Sequence, residues 1–79
     1  MVTKVTKEGY VAELNEKFLG KDFSVDLQNI AKAFIWKDKT TAQNQSHYYG
    51  SHILEKYGAE NFNIIHVRIM TTYEIIKED

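Results

Sequence analysis

The stretch FNIIHVRIMTTYEII, residues 62–76, decides the fold, because its hydrophobic period is two. Ile65, Val67, Ile69, Thr71, Tyr73 and Ile75 fall on one side of an extended chain. His66, Arg68, Thr72 and Glu74 fall on the other. No Gly, Asn, Asp or Pro interrupts the run from Ile64, so no tight hairpin fits inside it. One strand of this length, rising about 3.3 Å per residue, outruns a small domain, so it bends or projects. Its available partners are Val2–Thr6 and the short Phe23–Val25. A long strand with few partners presents an edge, and edges recruit other chains. A homodimer through the edge of this C-terminal strand is expected on that ground.

Upstream of the strand the period lengthens. Thr40 followed by Gln43 has capping-box spacing, and Tyr49, Gly50, Ile53, Leu54 and Tyr57 then share one helical face. Gly58 supplies the stop. The spacing predicts a helix over 41–57. Ser24 as N-cap and Asp26 in the first turn precede Leu27, Ile30, Ala31 and Phe34, an apolar stripe that predicts a second helix over 26–37. Residues 7–19 admit two readings. Tyr10, Val11, Leu14 and Phe18 share a helical face between a Thr6 cap and Gly20, and a hairpin of 2–6 with 10–14 around Lys7-Glu8-Gly9 competes with it. The helix is preferred. The fold class expected is α+β, three helices packed on a small antiparallel sheet with a long C-terminal strand.

Seventy-nine residues make one domain, 1–79, with 43% hydrophobic and 27% charged residues, a globular composition. A chain of this size buries only about 60% of its unfolded surface, so small domains often add disulfides, metals or a second subunit. With no Cys in the chain, disulfides, thiolate zinc sites and a Cys nucleophile are excluded, and oligomerisation is the staple left. The net charge of -1 provides no field to attract nucleic acid or an anionic membrane. No apolar run approaches the roughly 20 residues of a membrane span, and MVTKVTKEGY lacks the apolar core of a signal peptide. The cytoplasm is the expected location, the host cell's if the chain is phage-encoded, and the sequon Asn44-Gln45-Ser46 is then without consequence.

The candidates for chemistry are few. His47 and His52 are five apart, where a helical zinc pair favours four, and His66 lies on another element. Ser46 and Ser51 adjoin histidines in sequence, which a helix points in different directions, and neither sits in a glycine-rich elbow. No catalytic residue, metal or cofactor is assigned, and an enzyme is not expected. The aromatics carry more. From Thr40 to Leu54 the chain bears no formal charge yet holds Tyr48, Tyr49, His47 and His52 among Ser, Asn, Gln and Gly, a palette of recognition surfaces. Tyr49 is assigned to the core face. Tyr48 lies off it, and Trp36 lies off its own stripe, either a lid on the core or an exposed anchor. Partner contact is expected at Trp36, Tyr48 and His52, with His47, Gln45 and Arg68 beside them. Single-stranded nucleic acid is the alternative ligand, with the aromatics as stacking platforms. It is disfavoured because Lys32, Lys37, Lys39, Lys56 and Arg68 lie only at the margins.

The segment AFIW followed by DKTTAQNQSHYYGSHI resembles a pattern in short bacteriophage accessory reading frames. In these, an aromatic-x-Trp segment precedes Thr, a short turn and His-x-aromatic-Trp-x-x-Ile. Phe34, Trp36, Thr40, His47, Tyr49 and Ile53 stand at the matching positions, about a quarter of the chain. The turn is longer here, and Gly50 replaces the second Trp. The resemblance implies a small viral protein that binds and inhibits a host protein of unknown identity, of the anti-defence or anti-CRISPR type. It brings no catalytic residue with it.

Overall fold

The computed structural model describes residues 1–78. It is α+β: a three-stranded antiparallel sheet in the order β2-β1-β3, with two helices on one face. The strands are β1 (Val2–Leu14), β2 (Lys17–Phe18) and β3 (Asn63–Glu74); the helices are α1 (Lys39–Tyr49) and α2 (Ser51–Tyr57). β1 pairs with β3 over its length, from Val2↔Glu74 to Glu13↔Asn63. The 62–76 pattern therefore forms the strand expected, and residues 2–6 are its partner.

The 7–19 segment is not a helix, nor does a turn form at Lys7-Glu8-Gly9. Chain direction reverses instead at Asn15 and Glu16, both with positive φ (54° and 66°), a two-residue hairpin loop whose hand matches the strand twist. Neither residue is a glycine. The Glu16 amide donates to the Glu13 carboxylate at 3.1 Å, which helps hold a conformation that β-carbons disfavour. Val11 and Ala12 are both buried, although they point to opposite faces: Ala12 lies in the helix-covered core, and Val11 lies on the back at the base of the ribbon, where Ile35 crosses Gly9. A strand buried on both sides reads as an apolar run and loses its alternation.

The second predicted helix is also absent. Only Ile30–Lys32 makes a 3-10 turn, capped by Asn29; Ser24 instead donates its amide and hydroxyl to Asp22. The rest of 28–36 runs extended along the free side of β2 and β1, bridging Phe18↔Gln28, Gly20↔Ala33 and Tyr10↔Trp36. Tyr10 and Trp36 exchange both backbone hydrogen bonds, at 2.8 and 2.9 Å. Leu27, Ala33 and Trp36 are buried while Ile30 is exposed, so the helical stripe was a coincidence of spacing.

The third predicted helix exists but is broken. Asp38, two residues before Thr40, is the cap: its carboxylate accepts from the Thr41 amide and hydroxyl, which holds its pKa below the ordinary range. Gly50 (φ -101°) leaves the helical region and divides the segment into α1 and α2. Gly58 (φ 66°) closes α2 in the left-handed conformation, as expected. The buried side of α1 is Ala42, Ser46 and then Gly50, small residues rather than the Tyr49 face. A β-carbon on Gly50 would lie 2.6 Å from the Phe62 ring and 2.7 Å from the Ser46 carbonyl, so the bare backbone admits Phe62.

Ala12, Leu14, Leu19, Leu27, Trp36, Ala42, Ile53, Leu54 and Phe62 form the core, with Tyr10, Phe34 and Ile64 packed against it. The sheet residues among them, Tyr10, Ala12, Leu14 and Ile64, all point to one face. That face carries the helices. Beyond Gly9, the pairs from Val2 to Glu8 with Arg68 to Glu74 form a two-stranded ribbon that projects from the body, giving a molecule 56 × 23 × 18 Å.

Candidate partner-binding surface

Trp36 is resolved in favour of the core. It is 4% exposed, packs edge-tilted on Phe34 with ring centroids 4.6 Å apart, and donates its indole N–H to Gln45 Oε1 at 2.8 Å. Its burial follows from its backbone: pairing with Tyr10 turns the side chain to the helix-covered face. Trp36 is therefore not a surface anchor, and Gln45, though exposed, serves as the indole's acceptor.

Tyr48 is the reverse case, 75% exposed on α1. It is fixed from behind by an aromatic series: Tyr48 meets Tyr49 edge to face at 5.0 Å, Tyr49 stacks on Phe23 at 4.9 Å, and Phe23 lies against Phe34 and Trp36. Such contacts each add about 0.5–1.5 kcal/mol beyond area burial, so the exposed ring sits on a stiffened support. Tyr49, expected in the core, is 45% exposed and belongs to this series instead.

An open cleft of about 650 Å³ lies beside Tyr48, lined by Gln43, Asn44, Ser46, His47, Asn61 and Phe62. Its walls are amide, imidazole and phenol groups, and Phe62 lines it with an aromatic edge. Formal charge is absent from it. Asn61 and Phe62 enter through the turn that follows α2, a contribution invisible to a reading confined to residues 33–53. The signal was there in kind: Asn61 and Phe62 immediately precede the strand, and the helix stop at Gly58 returns the chain over α1.

His47 and Tyr48 line that cleft, whereas His52 is exposed on α2. Arg68 is elsewhere, on the ribbon, where its guanidinium donates to Glu8 Oε1 at 3.2 and 3.3 Å. His66 stacks on Tyr10 at 4.8 Å and approaches the same Glu8 at 3.9 Å. The six expected partner residues thus divide: Tyr48 and His47 together at the cleft, His52 and Gln45 on the helices, Trp36 inside and Arg68 on the ribbon.

The strongest electrostatic feature lies on the flank of α2. Lys56 pairs with Asp26, the Tyr57 hydroxyl donates to both Asp26 oxygens at 3.0 and 3.1 Å, and the Leu27 amide donates to it as well. The Lys56 ammonium first, and the Leu27 amide next, push the Asp26 carboxyl down to about 2. The same contacts raise Lys56 and Tyr57. This group pins the 22–28 loop to α2. Among the described residues no three His, Asp or Glu side chains are grouped to hold a metal ion, and no helix is long and apolar enough to cross a membrane. No family model, curated protein or solved structure matches the chain.

Proposed function

We propose that this chain is a non-enzymatic protein-interaction module that binds and inhibits a host protein, in the manner of phage-type anti-defence or anti-CRISPR proteins, working in the host cytoplasm. The observation that carries the reading is Tyr48, a 75% exposed ring buttressed by Tyr49 and Phe23 at the lip of an uncharged polar cleft. A rigid aromatic loses little entropy on docking, and Tyr is among the residues most often found as hot spots. The amides of Gln43, Asn44 and Asn61 supply orienting hydrogen bonds around it, His47 lines the cleft with them, and His52 is exposed on the adjoining α2. The phage context rests on the sequence resemblance at Phe34 to Ile53.

A single-stranded nucleic-acid binder has less support, since Trp36, one of its two stacking platforms, is in the core. Capture from bacterial lysate separates these readings. Wild-type bait should retain one protein specifically, and Tyr48→Ala with His52→Ala should lose it while the far-UV circular dichroism is unchanged. Equal capture by both baits would sink the assignment. Retention of nucleic acid instead, falling steeply with salt, would transfer the function to the alternative.

A further inference from the structure

The helices cover the wrong side of β3 for its own sequence pattern. Side chains at even positions of β3, with their cross-strand neighbours on β1, point to the body: Ile64 opposite Ala12, His66 opposite Tyr10, Arg68 opposite Glu8. The apolar set occupies the odd positions and faces away. Ile65, Tyr73 and Ile75 are 37%, 58% and 61% exposed, Val5 on β1 is 47% exposed, and Val67 and Ile69 are half-buried. Cover on that side is confined to the base of the ribbon, where Ile35 lies over Gly9. The result is one apolar stripe along the back of the ribbon, open beyond Gly9.

Charge is nearly absent from the stripe: from Thr3 to Val11 and from Ile65 to Ile75, the outward-facing residues include only Lys7 as an ion. The opposite face of the same ribbon carries Lys4, Glu8, Arg68 and Glu74. A strand pair with one charged and one apolar face is patterned to be covered on the apolar side.

We infer that this back face is the interface of a homodimer in which two ribbons stack face to face. Three considerations select a second copy as the occupant. First, a two-stranded ribbon is marginal at best in water, and beyond Gly9 this one has, among the described residues, both outer edges unpaired and neither face covered. It needs a cover whenever the chain folds, and a second copy is always present. Second, the area fits. A face about 35 Å long and about 10 Å wide projects to on the order of 350 Å² before the relief of its side chains is counted, so its accessible area approaches the lower end of what each partner contributes to a standard interface. Third, a two-fold axis along the strands sets β1 of one copy over β3 of the other. Lys7 then lies across Ile69 of the other copy at the margin, where its stem packs and its ammonium reaches water. The helical bodies and Tyr48 remain outside. This dimer is independent of the function proposed for the cleft, and it differs from pairing through the free edge of β3.

Sedimentation equilibrium from micromolar to near-millimolar concentration tests it. Wild type should approach about twice the 9.2 kDa chain mass. Val5→Glu with Tyr73→Glu should weaken the dimer by at least about 100-fold, whereas Met70→Glu, 64% exposed on the opposite face, should leave it intact. Thr72→Pro distinguishes the edge. Its amide points away from β1, as the His66 backbone must when Tyr10 bonds to Trp36, so proline there blocks edge pairing and spares the ladder. A dimer lost in Thr72→Pro but retained in the double glutamate variant would overturn the inference. So would a wild-type chain monomeric at every concentration. Should the double variant unfold, wild-type methyl NMR with a soluble paramagnetic probe still decides. Ile65, Val67 and Ile69 should become shielded as concentration rises and Met70 should not; equal exposure throughout refutes the stacked face.

Discussion

Gly50→Ala sets helix propensity against packing, and the two predict opposite signs. Were 41–57 one continuous helix with Gly50 in its interior, alanine would stabilise it by about 0.8–1.0 kcal/mol. At the observed break (φ -101°, ψ 12°) the gain shrinks to the unfolded-state entropy, at least about 0.4 kcal/mol. Against it stands the space. The new β-carbon meets Phe62 Cε2 at 2.6 Å, Phe62 Cζ at 2.8 Å and the Ser46 carbonyl oxygen at 2.7 Å. The ring can shift, but the carbonyl belongs to the backbone of α1 and accepts the Gly50 amide at 2.8 Å. Overpacking of this kind costs typically about 1–3 kcal/mol. The expected net is a loss of about 1–2 kcal/mol, from a total of roughly 4–12 kcal/mol for a chain this long. In urea, with a slope of about 1 kcal/mol/M, the midpoint should fall by about 1–2 M. Adding Phe62→Leu should recover only part of that loss, because the Ser46 clash persists. A rise in midpoint for Gly50→Ala would refute the close contact and restore the continuous helix.

The remaining expectations concern the core, the hairpin and the loop. Trp36→Ala should cost about 3–5 kcal/mol in chemical denaturation, while Tyr48→Ala should cost no more than about 1 kcal/mol, the loss of its edge contact with Tyr49; equal effects would return Trp36 to the surface. Glu16→Gly should stabilise by about 0.5–1 kcal/mol, since glycine adopts the Glu16 φ of 66° without a β-carbon clash and keeps the backbone amide that donates to Glu13; a loss would mean that the greater freedom of glycine in the unfolded chain outweighs the relieved strain. The Asp26 carboxyl should titrate near 2 by NMR, below its ordinary 3.8, and Lys56→Met should move it back up. Because the folded pKa is depressed, its contribution is fully present above the unfolded value and is lost as pH falls through about 2. An inflection at 3.8 in the native chain would remove the Asp26–Lys56 tether.

The alternation from Ile65 to Ile75 determined β3, and with it an α+β fold having residues 2–6 as the strand's partner. Period two without a break admits no other element, and Gly58 stopped the preceding helix for an equally local reason. The uncharged stretch from Thr40 to Leu54 likewise marked Tyr48 and His47 as surface, because chemistry of that kind is legible residue by residue. Where the sequence misled, non-local pairing was responsible. The C-terminal part of β1 reads as helical because Val11 and Ala12 are buried on opposite faces, and Leu27 to Phe34 keep helical spacing while the backbone of 28–36 bridges to Phe18, Gly20 and Tyr10. The fate of Trp36 depended on that pairing too, since only the bond to Tyr10 decides which way the indole turns. Nor could the strand's own pattern say which face the helices would cover. Alternation fixes that two faces differ; only the connection through α1 and α2, and the close approach at Gly50, puts the body on one of them. They chose the face of Ile64 and His66, and left the apolar one open.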